Sequence, residues 1–307
     1  MQKNIARKAT TAFAKEVREG LTSYPKYLSS KYFYDEKGDA LFQDIMAMPE
    51  YYLTDAEYDI LNTHQASISN YFSKNGADFD LFELGAGDGK KTKILLKHLL
   101  QSNYDFAYRP IDISQNALNQ LQDNLKSQLP SLKVNPLQGT YFDTLKDIGK
   151  QKDRRKIILF LCSNIGNLLH PYAIDFLRRL NDAMQEKDLL FMGMDQKKNP
   201  QTILNAYNDN AGITEAFNKN ILNRINSELG ANFDVNGFLH WEVYDPETGT
   251  AKSYLVSKER QQVNIEALQL SVAFEPWETI HTEISQKYDD SKIIYLKKCS
   301  YEGNMER

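Results

Sequence analysis

The stretch "DLFELGAGDGKKTKILLKHLL" (residues 80–100) contains the strongest indication of a fold in this chain. An apolar run ends near an acid, passes through three glycines and continues with apolar residues at helical spacing. This pattern predicts a strand, a tight loop and a helix. Because glycine lets the backbone bend sharply and approach a ligand closely, the loop is a candidate cofactor site.

The alternation of strands and helices continues through the middle of the chain. Five apolar segments are predicted strands, and the first, fourth and fifth are nearly continuous runs, as in strands buried on both faces. They are "FDLFEL" (79–84), "AYRPIDI" (107–113), "LKVNPLQG" (132–139), "KIILFLC" (156–162) and "DLLFMGMD" (188–195). Between them, apolar residues recur at three- and four-residue spacing in residues 91–100, 114–129 and 172–184, which predicts three helices. Ser114 is the predicted N-cap of the second helix. A doubly wound parallel α/β sheet follows.

The two flanks of the chain have a different pattern. Residues 1–75 and 200–235 are mainly helical in period, and Thr54 and Glu57 have the spacing of a capping box. The segment "FLHWEVYDPETGTAKSYLVS" (238–257) predicts a β-hairpin. We therefore expect a smaller α+β lobe made of residues 1–65 and 199–285. The sheet domain would comprise residues 66–198 and 286–307.

The charge and the composition of the chain limit the kinds of partner that we expect it to bind. The net charge of −4 and the pI of 5.8 are not those of a general nucleic-acid-binding protein. The two cysteines, Cys162 and Cys299, are not in a metal-type pair, so no metal site is predicted. The sequence begins without an apolar signal-like segment and has no apolar run long enough for a membrane span. We expect a cytoplasmic protein with a small-molecule substrate; the oligomeric state is left open.

The spacing of the glycines distinguishes between cofactors. Gly85, Gly87 and Gly89 do not form the frame of a nucleotide P-loop, and Lys90 breaks the dinucleotide fingerprint. What remains, E-L-G-x-G-x-G after a strand, resembles the first motif of class I S-adenosylmethionine-dependent methyltransferases. Asp112, at the end of the second strand, can accept hydrogen bonds from both ribose hydroxyls.

Five segments together resemble the histidine-specific methyltransferase family over residues 20 to 288. They are "SKYFYDEKGDALFQDIMAMPEYYLTDAEYDIL", "ELGAGDGKKT", "FLCSNIGNLL", "AYNDNAGITEAFNKNIL" and "HTEISQKY". The resemblance implies a Rossmann-like methyltransferase sheet with a second, smaller α+β substrate lobe, and S-adenosylmethionine as cofactor. It also implies transfer of up to three methyl groups to the α-amine of L-histidine, giving hercynine, the ergothioneine precursor. A fungal branch of the family instead methylates a prenylated tryptophan.

The resemblance also assigns residues to the site. The cofactor set is Tyr34, Gly85, Gly87, Lys91, Asp112, Thr140 and Tyr141. The substrate amine and carboxylate would be held by catalytic Tyr52, Asn167 and Tyr207, with Glu283 and Ser285 at the imidazole and Phe42 lining the pocket. Thr140-Tyr141 replaces the family's Asp-Phe adenine contact, unless Asp143 substitutes. The segment after Tyr288 could supply a short helix or strand but not the family's final pair of strands, so the sheet is expected to be one or two strands shorter or altered at this end.

Several alternatives stay open at this point. The same chemistry could act on another amine, such as a tryptophan derivative, or the chain could bind S-adenosylmethionine without catalysis. A dehydrogenase is a weaker alternative because of Lys90. For Asn167, the competing interpretation is that it only caps the helix that follows.

Overall fold

The computed structural model describes residues 10–74 and 78–301 and divides into two compact units. The central unit comprises Tyr52–Lys197 and the residues from Gln286 onward, and the flanking unit comprises the residues up to Tyr51 with Lys198–Ser285. The sequence placed the first boundary between residues 65 and 66. That position lies inside one continuous helix, Leu53–Ser73, so the division falls before the helix.

Ten α-helices are present in the described residues. In chain order they are α1 (Ala12–Thr22), α2 (Glu36–Met46), α3 (Leu53–Ser73), α4 (Thr92–Gln101), α5 (Gln115–Gln128), α6 (Tyr141–Lys150), α7 (His170–Ala183), α8 (Pro200–Tyr207), α9 (Ile213–Leu229) and α10 (Asp290–Tyr301). Within these same ranges, no helix combines the length and the apolar composition that a membrane span requires.

Twelve strands accompany these helices in the same part of the chain. They are β1 (Lys26–Tyr27), β2 (Asp78–Leu84), β3 (Asp105–Asp112), β4 (Lys133–Val134), β5 (Leu137–Gln138), β6 (Arg155–Phe160), β7 (Leu189–Met192), β8 (Phe238–Asp245), β9 (Thr250–Ser257), β10 (Gln261–Ile265), β11 (Leu270–Phe274) and β12 (Thr279–Gln286).

The central unit is built on a parallel sheet with the order β4-β3-β2-β6-β7, and β5 also pairs with β3. The predicted α/β class is therefore confirmed, and each of the five predicted segments forms strand. The third segment splits into β4 and β5 around Pro136, because proline has no N–H to donate to a neighbouring strand. Beyond Tyr288 the chain continues as a helix, α10.

Alternate side chains of β2 are buried against different helices. Phe79 and Leu81 belong to one apolar cluster with α3, α4 and α5, whereas Phe82 and Leu84 belong to another with α6, α7 and α10. This two-residue alternation is what a strand covered on both faces requires. It makes β2 the centre of the sheet and fixes the loop that follows it.

Two local features differ from expectation. The capping box is wrong: α3 begins at Leu53, so Thr54 lies inside the helix, and Glu57 bonds elsewhere. Helix α6 was not predicted. Thr140 caps it by accepting a hydrogen bond from the Asp143 N–H at 3.3 Å.

The flanking unit contains a four-stranded sheet with the order β1-β12-β9-β8. The predicted hairpin is confirmed as the antiparallel pair β8–β9. A second hairpin, β10–β11, was not predicted. The core of the unit includes five apolar side chains of α9, namely Phe217, Ile221, Leu222, Ile225 and Leu229. This unit presents β12, which carries two of the predicted substrate residues.

Candidate active site

The glycine loop joins β2 to α4 at the carboxyl edge of the sheet. Gly85, Gly87 and Gly89 have φ angles of 75°, 52° and 62°, in the left-handed region that favours glycine. The Gly85 N–H donates to the Ile111 carbonyl at 2.8 Å, and the Gly87 N–H donates to Asp112 Oδ2 at 2.9 Å. These bonds hold the loop against the end of β3.

The space around the loop differs between the first two glycines. A Cβ atom on Gly85 would lie 2.4 Å from Asn164 Nδ2 and 2.9 Å from the Tyr141 hydroxyl oxygen. A Cβ atom on Gly87 would meet nothing within 4 Å. Gly85 is thus packed by the protein itself, whereas Gly87 borders open space that a ligand can occupy.

Asp112 has the geometry expected of a ribose-binding carboxylate. Its Oδ2 accepts from the Gly87 N–H and its Oδ1 accepts from the Ser114 N–H, each at 2.9 Å. Carboxylate oxygens accept hydrogen bonds, so ribose hydroxyls are donors of the kind that this group binds. The open space at Gly87 and this carboxylate fit the nucleoside part of S-adenosylmethionine.

Glu83 lies beneath the loop and was not assigned a role from the sequence. Its carboxyl group is buried and accepts hydrogen bonds from the Tyr108 hydroxyl and from Thr92 Oγ1, the latter at 2.5 Å. Burial raises the pKa of Glu83 to about 7, against the opposing effect of the two hydroxyl groups. The acid of the loop motif therefore supports the loop and titrates near neutrality.

Stability should depend on pH through Glu83. Between pH 4.5 and pH 7 the unfolded carboxyl loses its proton while the folded one keeps it, so stability falls as the pH rises. Relative to Glu83→Gln, the wild type should lose about 3 kcal/mol of unfolding free energy across this range. Urea denaturation of both proteins at several pH values measures the difference. Parallel stability curves would contradict the assignment.

Lys91 is held by a cluster with Glu57 and Cys162. Its ammonium bonds the Glu57 carboxylate and lies 2.9 Å from Cys162 Sγ, and the Cys162 N–H donates to Glu57 Oε1 at 2.8 Å. Burial alone would lower the pKa of Lys91, but the neighbouring groups outweigh it and raise the pKa. Burial also raises the pKa of the Cys162 thiol to about 12, so the thiol is neutral and Glu57 supplies the compensating charge. The contact of Lys91 with the cofactor stays a prediction.

The chain turns sharply after β6. Cys162 and Ser163 both have left-handed φ angles, 58° and 53°, which are uncommon for residues other than glycine. A short 3₁₀ helix, Asn164–Asn167, follows. The N-cap of α7 is Leu169, so the capping interpretation of Asn167 is wrong. Its role toward the substrate stays a prediction.

Tyr52 belongs to a charged cluster in the central unit. Its hydroxyl donates to Asp195 Oδ2 at 2.6 Å, and Lys287 Nζ lies 2.9 Å from the same oxygen. Asp195 and Lys287 were not identified from the sequence. Asp195 is the last residue of the segment "DLLFMGMD", where an acid at the end of an apolar run was the available signal.

Two predicted substrate residues of the flanking unit lie together. The Tyr207 hydroxyl and Ser285 Oγ are 2.8 Å apart and share a hydrogen bond. Glu283 precedes Ser285 by two residues on β12, so both side chains face the same side of the sheet. The three residues therefore form a polar group on or beside one strand.

An aromatic group lies in the same flanking unit. The ring centroids of Tyr34 and Phe42 are 5.5 Å apart, and Phe217 lies 5.5 Å from the first and 5.7 Å from the second. Tyr51 meets Tyr207 edge-on at 6.1 Å. Phe217 and Tyr51 were not predicted. The contacts assigned to Tyr34 with the cofactor and to Phe42 with the substrate stay predictions.

The pair that replaces the family's adenine contact has a structural role in α6. Thr140 donates its hydroxyl proton to Asp143 Oδ2 at 2.6 Å, so Asp143 bonds within its own turn. The Tyr141 ring packs against Phe160 at 5.0 Å, and burial together with the charge of Asp112 raises the pKa of the Tyr141 hydroxyl. An adenine contact by either residue stays a prediction.

A parallel sheet of this order, a glycine loop after its central strand and an acid at the end of the next strand define a class I S-adenosylmethionine-dependent methyltransferase. The model of the family described as "Histidine-specific methyltransferase, SAM-dependent" matches residues 13–300. The chain therefore belongs to the histidine-specific methyltransferase family, an S-adenosylmethionine-dependent family.

Three relatives show the range of the family. A histidine N-alpha-methyltransferase of Mycolicibacterium smegmatis is 34% identical over 93% of this chain and 87% of its own length. The ergothioneine biosynthesis protein 1 of Schizosaccharomyces pombe is 31% identical over 86% of this chain but 35% of its own length. A 4-dimethylallyltryptophan N-methyltransferase of Claviceps fusiformis is 26% identical over 90% of this chain and 82% of its own length.

Proposed function

We propose that this enzyme transfers methyl groups from S-adenosylmethionine to the α-amine of L-histidine, up to the trimethylated betaine hercynine. The observation that carries the proposal is the polar group of Glu283, Ser285 and Tyr207, because a carboxylate and two hydroxyls can hydrogen-bond the nitrogens of an imidazole ring, whereas an apolar side chain could use none of them. The 34% identity to a histidine N-alpha-methyltransferase supports the same substrate.

The reaction is a direct displacement. The lone pair of the neutral amine attacks the methyl carbon, the new N–C bond forms as the C–S bond breaks, and S-adenosylhomocysteine leaves. The amine loses its proton to water before or during binding. The protein then contributes mainly orientation and proximity, which alone can lower a barrier by several kcal/mol. We assign this orientation to Tyr52, Asn167 and Tyr207.

Recognition of the side chain would fall to β12. The Glu283 carboxylate can accept from an imidazole N–H, and the Ser285 hydroxyl can donate to the other ring nitrogen or accept from it. Because Ser285 already shares a hydrogen bond with Tyr207, a bound histidine would share or replace that bond. As methyl groups are added, the product becomes a quaternary cation, which aromatic rings stabilise.

A panel of amines tests the proposal. The enzyme is incubated with S-adenosylmethionine carrying a labelled methyl group and, separately, with histidine, tryptophan, 4-dimethylallyltryptophan and phenylalanine. We expect the highest kcat/KM for histidine. Better transfer to another amine would overturn the substrate, and S-adenosylhomocysteine binding without any transfer would overturn the enzymatic activity.

A tryptophan-derived amine is the second candidate substrate. The observation that favours it is the 26% identity to the Claviceps enzyme over most of both chains. An indole presents one N–H donor and no acceptor, so it would use Glu283 but not the full capacity of Ser285.

A cytoplasmic location, and the absence of nucleic-acid and membrane partners, are proposed on composition alone.

A further inference from the structure

We infer that Glu57 is a positioning residue that holds the Lys91 ammonium beside the glycine loop, so that Lys91 can bind the carboxylate of the cofactor. This carboxylate is the only anionic group of S-adenosylmethionine. Although this role rests on the proposed function through the cofactor contact predicted for Lys91, it does not depend on which amine is methylated. Glu57 would make no contact with the cofactor and would act through Lys91.

Lys91 lies directly after the loop, two residues beyond Gly89 and one residue before α4. Its side chain is 10% exposed, and an ammonium group has three N–H donors. Glu57 Oε2 and Cys162 Sγ accept from two of them, and no other described residue accepts from the third. A donor that remains at the end of the cofactor loop is suited to an anionic part of the ligand.

The Lys91 ammonium depends on the charge of Glu57. Burial would lower the pKa of Lys91, whereas Cys162 and Glu57 raise it. The Cys162 thiol is itself neutral at pH 7, because burial raises its pKa to about 12. The charge of Glu83 also interacts with Lys91, but that carboxyl group bonds two hydroxyl groups instead. Glu57 is therefore the anion that pairs directly with the ammonium.

The carboxyl edge of the sheet holds Glu57 in turn. Its Oε1 accepts from the Cys162 N–H at 2.8 Å, in the turn that follows β6. A Cβ atom on Gly193, the residue after β7, would lie 2.6 Å from the same oxygen, whereas the next nearest atom is Leu161 Cα at 3.6 Å. Glycine at position 193 thus leaves room for the Glu57 carboxylate. Because β2, β6 and β7 are neighbours, this one side chain connects the ends of three adjacent strands.

Glu57→Gln tests this role because it keeps the size of the side chain. The amide oxygen can still accept from the Cys162 N–H, but the amide nitrogen cannot accept from Lys91. Affinity for S-adenosylhomocysteine should fall by about 10- to 30-fold, while affinity for 5′-methylthioadenosine, which lacks the amino-acid part, should stay within about twofold. Calorimetry measures both affinities. An equal fall for the two ligands, or no fall for S-adenosylhomocysteine, would overturn the inference.

A double substitution shows whether Glu57 acts through Lys91. Lys91→Met should weaken S-adenosylhomocysteine binding by about 10- to 100-fold, again with little change for 5′-methylthioadenosine. Adding Glu57→Gln to Lys91→Met should weaken binding no further, because the ammonium that Glu57 positions is already absent. Losses that add in the double variant would mean that Glu57 acts by another route, and would overturn the inference.

Gly193→Ala displaces the Glu57 carboxylate without removing its charge. The new methyl group should push Glu57 Oε1 aside and weaken S-adenosylhomocysteine binding by about 3- to 10-fold, with 5′-methylthioadenosine again little affected. Gly149→Ala is the matched control, because a Cβ atom there would make an ordinary contact of 3.6 Å with Ala183 Cβ. Equal affinities in the two variants would show that the position of Glu57 does not matter.

Another buried ion pair of the central unit controls for a general loss of stability. Lys156 Nζ and Asp188 Oδ2 are 2.9 Å apart, with side chains that are 1% and 0% exposed. Asp188→Asn should destabilise the fold and leave both affinities of the folded protein unchanged. A selective loss of S-adenosylhomocysteine binding in Asp188→Asn would overturn the inference. Since no amine is present in these measurements, transfer to an amine other than histidine would overturn the proposed substrate alone.

Discussion

Replacing Glu283 by alanine is expected to lower kcat/KM for histidine by about 100- to 1000-fold. The reason is that the imidazole N–H would enter the site without its carboxylate acceptor. Amines without a polar ring should lose much less, and the affinity for S-adenosylhomocysteine should not change. Steady-state kinetics with histidine and phenylalanine, together with calorimetry of S-adenosylhomocysteine binding, measure these quantities.

Glu275→Ala is the control for this substitution. Glu275 is an exposed carboxylate of the same unit that pairs with Arg260 at 2.8 Å, so its removal deletes the same charge without touching β12. Its kinetics should match those of the wild type. An equal loss for every amine in Glu283→Ala would contradict the assignment of Glu283 to the imidazole.

Replacing Gly87 by alanine is expected to weaken S-adenosylhomocysteine binding by about 100-fold, since the new methyl group would enter the open space beside the loop. The left-handed φ of 52° adds a stability loss of about 1 to 2 kcal/mol. Calorimetry gives the affinity, and thermal unfolding gives the stability.

Gly212→Ala separates the two effects of this substitution. Gly212 has a φ of 75°, and a Cβ atom there would come no closer than 3.9 Å to Glu215 Oε2. It should therefore cost similar stability and leave cofactor affinity intact. If Gly87→Ala binds S-adenosylhomocysteine as tightly as Gly212→Ala does, the open space at Gly87 is not the cofactor site.

The sheet could be predicted because its central strands are buried on both faces. The central segments of β2 and β6 are mostly apolar, interrupted in β2 by Asp80 and Glu83, and apolar residues recur at helical spacing in the helices between the predicted strands. Helix α6 was not predicted, because its N-cap residue Thr140 belongs to the pair Thr140-Tyr141 that the family resemblance assigns to the adenine contact. The β10–β11 hairpin was not predicted because its connection, residues 266–269 (EALQ), contains none of the turn residues that mark the first hairpin.

The candidate residues that lie close together in the sequence could be grouped from the sequence alone. Gly85 and Gly87 share a loop, and Glu283 and Ser285 share a strand face. Contacts across long separations were not predictable from one sequence. Tyr52 and Asp195 are 143 residues apart in the sequence, and Glu57 and Lys91 are 34 apart, so nothing local to these residues indicates their partners.

The identity of the methylated product tests the central claim most directly. The enzyme is incubated with histidine and S-adenosylmethionine carrying a deuterated methyl group, and the product is analysed by tandem mass spectrometry. The proposed function predicts up to three labelled methyl groups, all on the α-nitrogen. Label on an imidazole nitrogen, or no label on histidine while another amine is methylated, would contradict it.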